Sequence, residues 1–213
     1  VLEIKEDIEI NRNISITQAE INSNYAYGLK KKLYQQAITL AKSQDQLIPV
    51  SKDERITVIQ IGGEAQSLFS KILTNNYNTS YYRVSSAEDS DHSALITQLL
   101  NQCSEQYSKK NKIIVGFFDI EASARFKDFG ISQTTLKLLK DLAKINHHIV
   151  LAVFGNPYCL KLFGQEQTIL MAYEDDPLAQ QATAEIIMGH ISPKGKLPVT
   201  VNEQFYAGLG ITF

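Results

Sequence analysis

Three consecutive carboxylates, Glu174, Asp175 and Asp176, stand between the apolar run 168–173 and Pro177. A second acidic pair, Asp119 and Glu121, follows the apolar run 113–118. Neighbouring carboxylates can divide the acid, base and nucleophile roles of a hydrolase, so a complete small hydrolase on either cluster is one reading. Carboxylate pairs are common everywhere, however, and these have simpler work to do. Asp175 or Asp176 can cap the helix that follows. Pro177 suits its first turn, where a missing N–H costs nothing and negative charge meets the positive end of the helix dipole. Capping with hydrogen bonds to a neighbouring domain is the plain reading of Glu174, Asp175 and Asp176; contact with substrate is the other. Asn156, in Phe154-Gly155-Asn156-Pro157-Tyr158, divides in the same way. Asn before Pro caps a helix well, or Asn156 and Tyr158 together face a sugar or a neighbouring domain across the sheet edge.

Other chemistries lack their residues. Gly62-Gly63-Glu64 has neither the spacing of a dinucleotide-binding turn nor the lysine of a phosphate loop, and reads as a tight turn. Asp119 at a strand end resembles a phosphoacceptor, but that chemistry wants paired acids after the first strand, where only Glu64 is found. Cys103 and Cys159 form no metal-ligand or disulfide pattern and read as buried thiols. His147-His148 has no second ligand pair, and His92 and His190 stand alone. No metal and no cofactor is expected.

The elements that must carry these residues alternate. A polar arm, 1–16, precedes a helical pattern running from Thr17 to about Lys42, with Thr17 and Glu20 as a capping box and Gly28 as a candidate break. Strands are expected at 56–61, 81–85, 113–118, 149–154, 168–173 and 197–201. Helices are expected after Gly62-Gly63 to about 73, over 91–107 with Leu95, Leu99 and Leu100 inward, and from a Ser132 cap to about 143 with Leu136, Leu139 and Leu142 inward. A short one spans 157–163, and a last one places Leu178, Ala182, Ile186 and Ile187 on one face and stops at Gly189. Alternation of apolar strands with amphipathic helices implies a mostly parallel sheet covered on both faces, a three-layer α/β sandwich. Ligand sites in such sheets lie beyond the carboxyl ends of the strands.

Of the 213 residues, 44% are hydrophobic, enough for one sizeable core. With 21 basic against 23 acidic residues, a nucleic-acid or anionic-membrane surface has little support, and Lys30-Lys31-Lys32 reads as a solvated helix face. No apolar run reaches the about 20 residues of a membrane span. The chain begins with Val, which suggests a processed or excised piece.

Several segments together resemble the C-terminal α/β sandwich domain of family 3 glycoside hydrolases, most closely the β-N-acetylhexosaminidase branch. They are Gln35-Gln36-Ala37-Ile38-Thr39-Leu40, Leu47-Ile48-Pro49, Phe154-Gly155-Asn156-Pro157-Tyr158, Ala172-Tyr173-Glu174-Asp175-Asp176-Pro177, Gly195-Lys196-Leu197-Pro198-Val199-Thr200-Val201 and Gly208-Leu209-Gly210, and they run in the family's order. The resemblance implies a flavodoxin-like domain, residues 17–213, joined by the linker 1–16 to an N-terminal (β/α)8 barrel. That barrel would bind a terminal N-acetylglucosamine and supply the aspartate nucleophile and the histidine acid/base of a retaining hydrolase. Those motifs are absent here, so this piece is expected to be inactive alone, with glycan at the domain interface. In some relatives a β-lactamase-like domain follows, and a periplasmic or secreted bacterial parent is the accompanying expectation. In the β-glucosidase branch a glutamate of this domain is the acid/base. Glu121 falls near that position, but Phe117-Phe118-Asp119-Ile120-Glu121-Ala122 departs from the motif, so the role is not carried over.

Overall fold

β-Branched and aliphatic runs too short for helices form the sheet. The computed structural model describes residues 23–63, 65–87, 91–103, 111–120, 127–146, 148–164 and 168–213. Its strands are β1 (Thr39–Ser43), β2 (Ile56–Ile61), β3 (Thr79–Val84), β4 (Lys112–Phe117), β5 (Ile149–Val153) and β6 (Thr168–Met171). They form one six-stranded sheet in the order β1-β6-β5-β4-β2-β3, parallel throughout except for β1, which runs antiparallel to β6. Counted alone, the parallel strands have the 2-1-3-4-5 order of a flavodoxin-like sheet.

Helices cover both faces, as the alternating pattern predicts. α1 (Asn24–Ala37), α2 (Leu68–Asn76) and α5 (Pro177–Ile187) lie on one side, α3 (Ser93–Cys103) and α4 (Gln133–Ile145) on the other. Alternate residues of each strand feed the two cores. Val58, Ile114, Val150 and Leu170 meet Phe69, Leu73, Ala182 and Ile186. Ile59, Val115, Leu151 and Ile169 meet Leu95, Leu99, Leu138, Leu139 and Leu142. Each such side chain, once fully buried, contributes about 1.5–3 kcal/mol from water exclusion. Cys159 belongs to the second core, and burial pushes its thiol up to about 12, so it is a packing residue rather than a nucleophile. The side chain of Cys103 lies outside the described residues.

Four sequence expectations are corrected. The first helix does not reach Lys42. It starts after the Ser23 cap, passes through Gly28 without a break and ends at Ala37, because residues 39–43 are taken by β1. No strand forms at 197–201: Leu197 exchanges two backbone bonds with Gly208 and Leu209, but Pro198 has no N–H to extend a ladder. Leu100 is half exposed rather than inward, while Leu136 does pack on the core beside the more deeply buried Leu138. Lys30 and Lys31 are not a purely solvated face, since they pair with Asp176 at 2.6 Å and Glu185 at 3.9 Å. The arm 1–16, the Thr17 and Glu20 capping box, Glu64, Glu121 and His147 lie outside the described residues. Among the described residues no helix is long and apolar enough to cross a membrane.

Candidate functional site

Beyond the carboxyl ends of β4, β5 and β6 lies a cleft of about 540 Å³ lined by Asp119, Ile120, Phe154 to Tyr158 and Tyr173 to Asp175. Its base is aromatic. Phe154 stacks on Phe118 with centroids 4.5 Å apart and meets the edge of Phe69 at 5.3 Å. Gly155 is required there, since a Cβ would run into the side chain of Ile120. Asn156 caps the following 3-10 turn, Pro157–Leu162, its Oδ1 accepting from Tyr158 N–H at 3.0 Å. The Tyr158 ring is 46% exposed at the rim.

The opposite wall is the loop from β6 to α5. Tyr173 takes φ 67°, an uncommon conformation for a residue with a Cβ, and Glu174 N–H donates to Ala172 C=O at 2.8 Å across it. Three acids leave this turn, and α1 and α5 hold them between them. Tyr34 of α1 donates its hydroxyl to Glu174 Oε2 at 2.5 Å. Gln180 of α5 donates to Asp175 Oδ1 at 2.5 Å, while its Oε1 accepts from Phe69 N–H at 3.1 Å, so one buried amide ties the acid to the start of α2. Asp176 caps α5 through Leu178 N–H at 2.9 Å and pairs with Lys30 of α1. Thr39 of β1 meets the Tyr173 hydroxyl at 2.6 Å.

The electrostatics separate the acids. Partial burial of its carboxyl, with the charges of Asp119 and Asp176, holds Asp175 above the usual carboxylate range, against the opposing bond from Gln180. Asp176 is lowered: burial works upward, but the bonds from Lys30, Leu178 and Ala179 prevail. Burial, then the bond it donates to Glu174, raises Tyr34 and keeps its hydroxyl a donor. Asp119 sits at φ 57°, and its Oδ2 accepts from Gly63 N–H at 2.9 Å and Ser86 Oγ at 3.1 Å. Those bonds close the switch point between β2 and β4, where a Cβ on Gly62 would fall 2.5 Å from Asp119 Oδ2. The open cleft is displaced toward β6.

Asn156, Tyr158, Glu174 and Asp175 thus line one cleft, while Asp176 stands behind it as a cap. Sequence reasoning missed Tyr34, Lys30 and Gln180. Gln180 left a trace, as a polar residue on the buried face of α5; Tyr34 and Lys30 left none. Among the described residues no group of three or more His, Cys, Asp or Glu is placed to hold a metal ion.

The family model for the glycosyl hydrolase family 3 C-terminal domain matches residues 38–206. The chain belongs to that family. Its fold is that of solved family relatives. A fungal multi-domain family 3 β-N-acetylglucosaminidase aligns at 19% identity and TM-score 0.64 over 93% of this domain and 21% of that protein. The family 3 β-N-acetylglucosaminidase of a Paenibacillus species aligns at 18% identity and TM-score 0.64, covering 89% and 35%. The Listeria innocua β-glucosidase, solved with isofagomine, aligns at 14% and TM-score 0.67, covering 95% and 30%. The C-terminal domain therefore spans between a fifth and about a third of these relatives' lengths. No curated protein sequence matches the chain.

Proposed function

We propose that this C-terminal domain serves a retaining β-N-acetylhexosaminidase that removes terminal N-acetylglucosamine, packing on an N-terminal (β/α)8 barrel that carries the catalytic carboxylate. Residues 1–16 are the linker in this reading and 17–213 a single accessory domain. The cleft bearing Asn156, Tyr158, Glu174 and Asp175 faces the sugar or the barrel, with Asp176 holding the loop from behind. Tyr158 offers a ring face to a sugar, and carboxylate oxygens suit hydroxyl and acetamido donors.

The observation that carries the accessory role is the engagement of the cleft's acids. A retaining glycosidase needs one carboxylate as nucleophile and another that gives and takes a proton. Asp119, Glu174 and Asp175, and Asp176 behind them, each accept a bond that fixes them to another element. That arrangement favours binding over turnover. The sequence segments shared with the hexosaminidase branch support the choice of sugar. A free-standing module is disfavoured by α1, where Tyr25, Leu29 and Leu33 recur every fourth residue and are 80%, 46% and 60% exposed.

The test is hydrolysis of an aryl N-acetyl-β-glucosaminide and an aryl β-glucoside by residues 1–213 and by the longer polypeptide of the same reading frame. An inert domain beside a long form active on the N-acetyl substrate is expected. Turnover by the domain, abolished by Glu174→Gln or Asp175→Asn, would place the chemistry here instead. Preference of the long form for the glucoside would move the parent to the other branch.

A further inference from the structure

α1 lies outside residues 38–206, the stretch matched by the family model, yet it grips the acidic turn that lies within it. Its two faces differ. Tyr25, Leu29 and Leu33 look outward, while Lys30, Lys31, Tyr34 and Gln35, on the opposite side of the helical wheel, reach the turn and α5. No residue of α1 is fully buried; the Tyr34 ring packs on the core beneath it, and polar contacts complete the attachment: Tyr34 to Glu174, Lys30 to Asp176 and Gln35 to Glu185 at 3.0 Å. Of these, the Tyr34 bond alone ends on a side chain that lines the cleft.

Resting on the proposed role of the cleft, we infer that Tyr34 is a positioning residue for glycan binding, which fixes Glu174 so that it presents its carboxylate to a sugar donor. The bond occupies Oε2, and Oε1 has no partner among the described residues. The backbone turn at Tyr173 sets where the Glu174 side chain starts, but a glutamate keeps three rotatable bonds beyond that point. A charge-assisted bond from a phenol, itself held by α1, removes that freedom before the sugar arrives. Because α1 follows the segment entering this domain, a shift of the helix would loosen Glu174 without touching the cleft.

The experiment uses the longer polypeptide and its steady-state kinetics on a chitobiose-type substrate, with Tyr34→Phe, Glu174→Gln and the double variant. Tyr34→Phe keeps the ring and removes only the donor. We expect KM to rise about five- to tenfold, less than the full worth of a hydrogen bond to a charged group because the lost bond positions Glu174 rather than touching the sugar, with kcat within about twofold. The double variant should be no worse than Glu174→Gln alone, since Tyr34 acts only through the carboxylate that the glutamine replaces. Hydrogen exchange at residues 173–176 should quicken in Tyr34→Phe while α5 keeps its protection. An unchanged KM in Tyr34→Phe beside a raised KM in Glu174→Gln would overturn the inference and leave the cleft's role standing. Unchanged KM in both would overturn the two together. Fully additive losses, or equal loss of protection throughout α5, would make Tyr34 a stability residue and overturn the positioning role.

Discussion

α1 and α5 lie side by side on the same face of the sheet and are held by opposite means. α5 buries Leu178, Ala179, Gln180, Ala182, Thr183, Ala184, Ile186 and Ile187, whereas α1 fully buries none of its residues and, apart from the Tyr34 ring, is attached by side-chain hydrogen bonds and ion pairs. Apolar burial is non-directional and strong, and polar contacts at a surface are directional and weak. A helix attached in the second way can be displaced at small cost while its neighbour stays in place. The difference separates a core element from a strap.

The contrast can be broken first by truncation. Ile186→Ala, at a fully buried position, should cost about 2–5 kcal/mol in chemical denaturation, whereas Leu33→Ala on α1 should stay within about 0.5 kcal/mol. Comparable losses would mean that α1 belongs to the core after all. Next, Gln180→Leu strands the Phe69 N–H and releases Asp175, and should cost about 1–3 kcal/mol. It should also raise the titration midpoint of Asp175 further, read by carbon-detected NMR. Because Asp175 already lies above its unfolded value, its stabilising effect is complete below the usual carboxylate range and declines as pH rises through the raised midpoint.

Asp176 has the opposite sign. Its lowered midpoint means stabilisation that is present above the usual carboxylate value and lost as pH falls below it. Asp176→Ala should cost about 1 kcal/mol at neutral pH, mainly from the lost cap, and flatten the acid limb of the stability profile. The smallest effect is expected from Asp141→Asn within α4. Bonds from Lys144 and then Lys137 bring Asp141 down to about 2, but all three are surface groups. Melting at neutral pH should fall only slightly, and the small gain that is lost as pH falls from the usual carboxylate value toward 2 should disappear from the stability profile. A Tm shift equal to that of Asp176→Ala would show that linking two elements adds nothing over pairing within one helix.

Much of this architecture was legible because strand and helix periods differ so clearly in 56–61, 113–118, 149–154 and 168–173. The caps at Asn156, Ser132 and Asp176 were legible too, since a short polar side chain before a Pro or an amphipathic run has a local meaning. β1 was not. Thr39-Leu40-Ala41-Lys42-Ser43 contains ordinary helix formers and continues a helical run, and only pairing with β6, remote in sequence, makes it a strand. The same remoteness hid Tyr34 and Lys30, whose partners lie 140 and 146 residues away. Leu197 to Val201 had strand composition, but β1 already occupies the edge beside β6.

That edge has a consequence for biosynthesis. β1 leaves the ribosome first among the described strands, and its partner β6 leaves after them all, with Thr39 opposite Met171. Leu40 also bridges to Ile211, 40 residues beyond β6. Until residues beyond 171 are synthesised, β1 waits unpaired and β5 presents an open edge of the kind on which chains aggregate. The first strand is thus a lock whose key is made last. Cleavage between β6 and Ile211 would remove the outer bridge that backs it.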